Sequence, residues 1–220
     1  KVPFDQLNKI KNDICMMDFD IEQNDATGTC FIYALPFENN IILIEATFFS
    51  MELKEQTVYT NHIRNWLLSD YSINLDKCEI IERESGVIPM GPVIPIDTSL
   101  IRLGTAGGAV KLSTGYAFKH ILNQSANLVT QINDKRNITT FNPHPKFSQY
   151  LDKIFLNVLK DRPKIIPSVF MRMAKNLAPD TFVEFLNEQN ILKSSFKMIL
   201  AMPKIPFILS FLKNSKSKND

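Results

Sequence analysis

The sequence contains little cysteine, little glycine and no long hydrophobic run, and each scarcity excludes a class of protein. Its three cysteines, Cys15, Cys30 and Cys78, are too few and too widely spaced for a disulfide framework or a zinc site, which favours a reducing compartment. No apolar run reaches the ~18 residues of a membrane-spanning helix. The 25 basic and 23 acidic residues give a net charge of +2, which does not indicate nucleic-acid binding.

The glycines that are present lie mostly in one segment. Of the seven, six fall between Gly86 and Gly115, and none follows Gly115. Hydrophobic residues make up 45% and charged residues 22%, which indicates a folded chain rather than a disordered one. The glycine segment is therefore either a set of turns between strands or a loop that lies against a ligand.

Apolar periodicity predicts a mixed α and β chain. Strands are predicted at 15–21, 29–35, 41–50, 78–81 and 100–103. Helices are predicted at 54–68, 114–132, 146–160, 167–176, 180–187, 191–200 and 204–212. The five-residue link at 36–40 favours an antiparallel hairpin. We also expect a turn at Asn24, Asp25 and Gly28, an N-terminal cap at Asp180, and a disordered tail from Lys213.

Residues 100–116, LIRLGTAGGAVKLSTGY, predict a strand, a loop of small residues and a helix that begins near Thr114. Free N–H groups at such a helix N-terminus favour an anion, so the segment is a candidate phosphate or ribityl site. It is not the G-x-G-x-x-G dinucleotide fingerprint, and an ordinary tight connection is the alternative.

Several sequence blocks, in the same order, resemble the bacterial lycopene cyclases. Residues 103–118, LGTAGGAVKLSTGYAF, are similar to the flavin-contact segment of that family. Residues 31–50 resemble its strand pair with a Leu-Ile-Glu-acid-Thr motif, and 82–91, ERESGVIPMG, resemble its Glu-Arg-x-x-Gly-x-Ile-Pro-Met block. FLNVLKDRP and MILAMPKIPFILSFL resemble its C-terminal helices. The resemblance extends roughly from Cys15 to Leu212.

This resemblance implies an α+β fold, the C-terminal part of an FAD/NAD(P)-binding flavoprotein of the aromatic-hydroxylase type. The implied parts are an antiparallel substrate-domain sheet at 1–98, a returning FAD-domain strand and helix at 99–135, C-terminal helices at 136–213, and a disordered tail at 214–220. Because the family carries its nucleotide-binding βαβ unit at the N-terminus and the chain begins with lysine, we expect a fragment of a longer protein.

The activity implied is that of a lycopene β-cyclase. Such an enzyme is an intramolecular lyase that closes the linear ends of lycopene to β-rings, giving γ-carotene and β-carotene without net redox change. Reduced FAD, with NAD(P)H as reductant, would stabilise the carbocation. The alternatives are an FAD-dependent monooxygenase of the same fold and a non-catalytic carotenoid-binding fragment. The partners expected are linear carotenes and the membrane surface, with no nucleic acid and no metal. The location expected is cytoplasmic and peripherally membrane-associated, with 204–213 on the lipid.

Glu45 is the candidate proton donor. Strand alternation places it on one face with Leu43, Thr47 and Phe49, where burial would favour the neutral, proton-donating form. A glutamate that points into water or pairs with an arginine is the alternative. The resemblance places Glu45 on the essential acid of the family, but the second acid that often follows is Ala46 here. Glu82, Glu84 and Asp18 are the candidates for the final proton acceptor.

The resemblance also implies a set of contact residues. The cofactor-binding residues expected are Gly104, Thr105, Ala106, Gly107, Gly108, Ser113, Thr114, Gly115 and Tyr116. The substrate-binding residues expected are Phe31, Tyr33, Phe48, Phe49, Pro89 and Met90. The three histidines, His62, His120 and His144, are far apart in sequence and are expected to be structural or exposed rather than clustered.

Overall fold

The computed structural model describes residues 1–3, 14–23, 28–91, 100–139 and 141–216. The chain forms two compact units, one made of residues 1–85 with 162–167, the other of residues 86–161 with the chain from 168 onward. The first holds a three-stranded antiparallel sheet and the second is helical in its described part. The α+β class is thereby confirmed, whereas the flavoprotein assignment and the division into 1–98, 99–135 and 136–213 stay predictions.

The sheet is ordered β1-β2-β3, with β1 at Cys15–Asp18, β2 at Gly28–Pro36 and β3 at Ile42–Ser50. β2 and β3 pair along their whole length, from Gly28 opposite Ser50 to Pro36 opposite Ile42, which confirms the hairpin. β1 stops before Ile21 because its register with β2 is already irregular at Asp18. Gly28 opens β2 rather than a turn, and Asn24 and Asp25 lie outside the described residues.

The hairpin turn is closed by a hydrogen bond from the Phe37 N–H to the Ile41 carbonyl at 2.7 Å. Asn39 and Asn40 both adopt left-handed backbone, with φ of 59° and 63°. Asparagine tolerates this conformation better than most residues, because its short side chain bonds the local backbone. The turn chemistry therefore fixes the β2–β3 register.

One helix, α1 at Gln56–Tyr71, packs on one face of the sheet. Its Trp66 and Leu67 are buried against Ile32 of β2, and the Trp66 Nε1–H donates to Asp18 Oδ2 at 2.9 Å. Burial of each large apolar side chain contributes about 1.5–3 kcal/mol. The core of this unit thus lies between α1 and a single face of the sheet.

Six further α-helices follow in the described part of the chain, at the positions where apolar spacing and prolines predict them, to within a few residues. They are α2 (Phe118–Asn133), α3 (Lys146–Asp161), α4 (Ile166–Asn176), α5 (Pro179–Leu186), α6 (Ile191–Ala201) and α7 (Lys204–Lys216). The cap predicted at Asp180 is wrong, because Ala178 is the N-cap and Pro179 the first helical residue. The predicted tail is also wrong for 213–216, which continue α7.

Two predicted strands and one helix start differ from the structure. Residues 79–81 and 101–103 are irregular, since an apolar run becomes a strand only where a neighbouring strand completes its hydrogen bonds. α2 begins at Phe118 rather than Thr114. The reason is a turn in which Thr114 and Gly115 both donate to the Lys111 carbonyl, with Gly115 at φ 75°.

Among the described residues, no individual helix has both the length and the apolar character needed to cross a bilayer. The pair formed by α6 and α7 passes that test jointly, on length and composition alone, but is bent by 117°.

Candidate functional site

The strand pair β2–β3 presents a face opposite to the one that α1 covers. Tyr33 pairs with Glu45 and Phe31 with Thr47, so these side chains share one face. The Phe31 ring lies 5.4 Å from the Phe49 ring, which places Phe49 on the same side. We call this set, namely Phe31, Tyr33, Glu45, Thr47 and Phe49, the aromatic sheet face.

Glu45 is exposed on the aromatic sheet face. Its Oε1 accepts a hydrogen bond from Thr47 Oγ1 at 2.7 Å, also in an exposed setting. The expectation that Glu45 is buried in this chain is therefore wrong. The alternation of side chains along β3 correctly predicts which residues share a face. It does not predict that α1 covers the face opposite to Glu45. The catalytic role of Glu45 stays a prediction.

Phe48 does not belong to the face that carries Glu45. Its ring lies 5.2 Å from the Tyr59 ring and 5.2 Å from the His62 ring, both on α1. It therefore packs in the core of the first unit and cannot line a surface with Phe31 and Phe49. The expected grouping of Phe48 with Phe31, Tyr33 and Phe49 as substrate contacts does not agree with the two-residue period of the strand, which places Phe48 and Phe49 on opposite faces.

The alanine that replaces the family's second acid also lies on the α1 side. Ala46 is buried and pairs with Ile32, the most buried residue of β2. A carboxylate at position 46 would thus enter the apolar core rather than join Glu45. Asp18, one suggested proton acceptor, is occupied as the acceptor for Trp66 Nε1–H and for the Asp20 N–H. Glu82 and Glu84 are exposed on irregular chain.

The glycine loop, residues 103–109, is a short 3-10 turn closed on itself. The N–H groups of Gly107, Gly108 and Ala109 donate to the carbonyls of Leu103, Thr105 and Gly104. Gln124 of α2 holds the loop from the side: its Oε1 accepts from the Gly104 N–H at 2.9 Å, and its Nε2 donates to the Gly107 carbonyl at 2.8 Å. Sequence reasoning did not predict that Gln124 would hold the loop. The only sequence signal is its position on the following helix, 17 residues after Gly107.

Gly107 is required by the fold of the loop itself. A Cβ on Gly107 would lie 2.4 Å from the Arg102 carbonyl oxygen, closer than any real contact. Gly108 differs, because with φ 74° its outer side opens to space in which a Cβ would meet nothing within 4 Å. In this loop, Gly107 therefore packs against the backbone of Arg102, whereas the space beside Gly108 is open.

The hydrogen bonds and the exposure of the glycine loop show which part of an FAD it could contact. A phosphate cradle at Thr114 does not fit, because α2 begins later and the Thr114 and Gly115 N–H groups are bonded to Lys111. A flavin edge passing over the loop does fit, since Thr105 and Ala106 are exposed and Gly108 adds no side chain. Ser113 is buried, and the Tyr116 hydroxyl donates to Asn187 at 3.3 Å. Pro89 and Met90 are half-buried in the same unit.

The second unit contains a cluster of buried polar side chains, of which the first in sequence is Lys111, two residues after the glycine loop. The buried polar cluster comprises Lys111, His120, His144, Ser148, Asp152 and Glu188. Lys111 Nζ contacts both oxygens of Asp152 at 3.0 and 3.2 Å, Ser148 Oγ at 2.8 Å and Glu188 Oε1 at 3.3 Å. It also lies 4.6 Å from the Phe185 ring centroid. Each ammonium proton thus has a nearby acceptor.

Glu188 is the acidic centre of this cluster. Burial alone would raise the pKa of its carboxyl group, but hydrogen bonds from His144 and Ser148 and the charge of Lys111 together lower the pKa to about 2. The carboxylate is therefore ionised at neutral pH despite a side chain only 5% exposed. Glu188 lies just beyond α5 with left-handed backbone, at φ 54°.

The prediction that the histidines do not cluster is wrong for two of them. The His120 and His144 ring centroids are 4.4 Å apart, and both side chains are buried. Burial is the main cause that lowers the pKa of His120, with a further contribution from His144. The cluster escaped sequence reasoning because Lys111 and its partners are 37–77 residues apart, with no shared period.

The comparisons with known proteins agree with the sequence motifs. The model of the lycopene cyclase protein family matches residues 7–211, so the chain belongs to the lycopene cyclase family. The chain is also similar to the chloroplastic neoxanthin synthase of Solanum tuberosum, at 32% identity over 94 residues. The chloroplastic neoxanthin synthase of Solanum lycopersicum is 31% identical over 94 residues.

Each of these two matches covers 42% of this chain and 18% of the plant protein. The chain therefore spans less than a fifth of the length of the curated relatives it matches. No solved structure matches the chain.

Proposed function

We propose that this chain is part of a lycopene β-cyclase, in which Glu45 protonates the linear end of lycopene to start ring closure to γ-carotene and β-carotene. The observation that carries the proposal is the position of Glu45 on the aromatic sheet face, in a chain that belongs to the lycopene cyclase family. A carboxyl group beside aromatic rings and directly opposite Tyr33 suits protonation of a hydrocarbon.

The substrate itself would supply the dry environment that Glu45 lacks. Phe31 is already buried, whereas Tyr33 and Phe49 are half-buried. The end of a linear carotene lying along Tyr33 and Phe49 would displace water from this face, because the contact is apolar on both sides. A carboxyl group covered in this way favours its neutral form and can donate its proton. Water that is kept away cannot capture the carbocation.

The remaining chemistry is the attack of a neighbouring double bond on the cation and the loss of one proton, which leaves the oxidation state unchanged. Ring faces of Phe31, Tyr33 and Phe49 would stabilise the positive charge through their π-electrons. Reduced FAD, when bound, would supply negative charge near the cation, with NAD(P)H as the reductant. Thr105, Ala106 and Gly108 are the residues of this chain that would contact it.

Peripheral contact with the cytoplasmic side of a membrane is part of the proposal, because the substrate dissolves in lipid. The supporting feature is the α6–α7 pair. Its exposed apolar side chains are Leu192, Phe196, Ile199, Leu200, Ile205, Ile208, Leu209, Phe211 and Leu212. From Ile191 to Lys216 the sequence contains five lysines and no acid. Apolar side chains flanked by lysine alone suit an anionic lipid surface.

The test is expression of the full-length gene in cells that accumulate lycopene, followed by chromatography of the pigments. The wild type should convert lycopene to cyclic carotenes, and Glu45→Gln should abolish conversion while the folded protein keeps its bound flavin. Glu38→Gln, an exposed glutamate in the turn of the same hairpin, is the matched control and should retain full conversion.

Unchanged lycopene with a folded, flavin-loaded wild type would overturn the proposal. Loss of flavin in Glu45→Gln would mean that this residue is structural. Stoichiometric consumption of NAD(P)H with an oxygenated product would instead indicate a monooxygenase, and pigment bound without conversion would indicate a carotenoid-binding protein.

A further inference from the structure

Thr47 contacts the carboxyl group of Glu45 from the same face of the sheet. Both residues lie on β3, two positions apart, so their side chains point to the same side. Thr47 Oγ1 donates a hydrogen bond to Glu45 Oε1 at 2.7 Å, which is the usual distance between two hydrogen-bonded oxygen atoms. Among the described residues, the Glu45 carboxyl group has no other hydrogen bond and no ion pair.

The surroundings of Thr47 hold its hydroxyl group in place. Thr47 is half-buried and lies directly opposite Phe31 of β2, whose side chain is buried. Because its Cβ is branched, the side chain has few rotamers. Glu45 is exposed and has a longer, more mobile side chain, so the threonine sets the position of the carboxyl group rather than the reverse.

The hydrogen bond gives the two carboxyl oxygens of Glu45 different parts in proton transfer. In the neutral acid, the oxygen that accepts from Thr47 is the carbonyl oxygen, so the acidic proton lies on Oε2. Oε2 has no partner in the described part of the chain, so its proton is available to a polyene that lies along Tyr33 and Phe49. Thr47 thereby selects the oxygen that donates.

The same hydrogen bond becomes stronger as the proton leaves. The O–H bond of Glu45 breaks and its electron pair stays on the carboxylate. The π electrons of the terminal double bond form the new C–H bond and leave a cation on the carotene. A hydrogen bond to an ionised carboxylate is roughly twice as strong as one to a neutral group. Because Thr47 stabilises the transition state more than the ground state, its hydroxyl group should raise kcat.

We propose that Thr47 is a positioning residue for ring closure: its hydroxyl group orients Glu45 and stabilises the carboxylate that forms when Glu45 gives up its proton. The inference rests on the proton-donor role proposed for Glu45. It goes further, because it gives the threonine at the end of the segment Leu43–Thr47 a part in the reaction and not only in the strand.

The experiment uses the full-length holoenzyme with reduced FAD and lycopene supplied in liposomes. Initial rates at a series of lycopene concentrations give kcat and KM for each protein. Thr47→Val keeps the shape of the side chain but removes the donor, and Thr47→Ser keeps the hydroxyl group. Thr60→Val is the matched control, because Thr60 Oγ1 donates to the Gln56 carbonyl within α1.

Thr47→Val should lower kcat by about tenfold while KM and flavin content stay constant, because the lost interaction acts mainly during proton transfer. Thr47→Ser should restore most of the rate, and Thr60→Val should keep the wild-type kcat. If circular dichroism shows that Thr47→Val is unfolded, Thr47→Ala takes its place with the same expected loss.

Three results would overturn the inference. The first is a wild-type kcat in the folded variant without the hydroxyl group. The second is a loss of activity through a raised KM, and the third is failure of Thr47→Ser to restore the rate, since both indicate that Thr47 supports only the shape of the strand. A wild type that leaves lycopene unchanged would overturn the proposed function together with this inference. Cyclisation by the wild type, none by Glu45→Gln and a full rate in Thr47→Val would overturn the role of Thr47 alone.

Discussion

Lys111 and Asp152 form an ion pair in which the ammonium contacts both carboxylate oxygens, at 3.0 and 3.2 Å, with side chains only 1% and 4% exposed. Lys111 lies two residues after the glycine loop, and Asp152 lies in the middle of α3. A buried charge without its partner costs about 3–5 kcal/mol. The position of the loop is therefore tied to α3 by charge, and not by apolar packing alone.

Glu188 should make the protein sensitive to acid. Its pKa in the folded chain is about 2, below the ordinary value of 4.5, so the carboxylate stabilises the fold above pH 4.5 and this contribution is lost as the pH falls toward 2. The full contribution is on the order of 3 kcal/mol. Urea unfolding of the wild type should show a free energy of unfolding that decreases over this pH range.

The comparison for this prediction is Glu188→Gln, whose free energy of unfolding should be lower at neutral pH and should decrease less between pH 4.5 and about pH 2. Glu38→Gln, exposed in the hairpin turn, should follow the wild-type curve. Parallel curves for the wild type and Glu188→Gln would show that Glu188 is not the acid-sensitive group.

Gly107→Ala should destabilise the second unit. The added Cβ would lie 2.4 Å from the Arg102 carbonyl oxygen, a rigid backbone atom that cannot swing aside. Overpacking of this kind costs about 1–3 kcal/mol. Gly86→Ala is the control, because its Cβ would meet nothing within 4 Å, and it should change the unfolding free energy by less than about 0.5 kcal/mol. Equal stability of the two variants in urea would contradict this contact.

Phe48 and Phe49 are neighbours in sequence, but their substitution by alanine should affect different properties, namely stability for Phe48 and product formation for Phe49. Phe48→Ala removes a ring that packs on Tyr59 and His62, so it should lower the unfolding free energy by roughly 2–4 kcal/mol while product formed per folded protein stays constant. Phe49→Ala should lower product per folded protein, because its ring lies on the aromatic sheet face. Unfolding curves and pigment analysis of both variants measure the two effects, and loss of specific activity in Phe48→Ala alone would reverse the assignment of the faces.

Ile205→Asp should weaken binding to anionic lipid. Ile205 is 71% exposed at the start of α7, so a charge there costs little in the folded protein but opposes insertion and repels acidic headgroups. Sedimentation with vesicles containing phosphatidylglycerol should show at least a severalfold loss of binding. Val129→Asp, also at an exposed apolar position but on α2, should bind as the wild type does. Equal loss in both variants would point to nonspecific binding.

The elements that sequence alone predicts correctly are those with local causes. The β2–β3 hairpin follows from alternating residues around an asparagine-containing turn, and α3 to α7 follow from apolar spacing interrupted by prolines. Residues 78–81 and 100–103 have the composition of strands but lack a described strand beside them. A strand depends on partners that may be remote in sequence, whereas a helix does not.

The candidate sites show the same division between local and long-range causes. The period of β3 predicts that Glu45, Thr47 and Phe49 share a face, but it does not predict which face α1 covers. The buried polar cluster escaped prediction entirely, since Glu188 is 77 residues from Lys111 and no motif joins them. Only the packing of four separate segments brings its side chains together.

The hairpin turn at Phe37–Ile41 has a consequence for any insertion or deletion. Side chains of β3 alternate strictly, so removing one residue from this turn would shift the strand by one position and exchange its two sides. Ile44, Ala46 and Phe48 would then meet water, and a carboxylate would be forced beneath α1. The length of a five-residue turn thus keeps an acid out of the hydrophobic interior and on the face where the proposed substrate would lie.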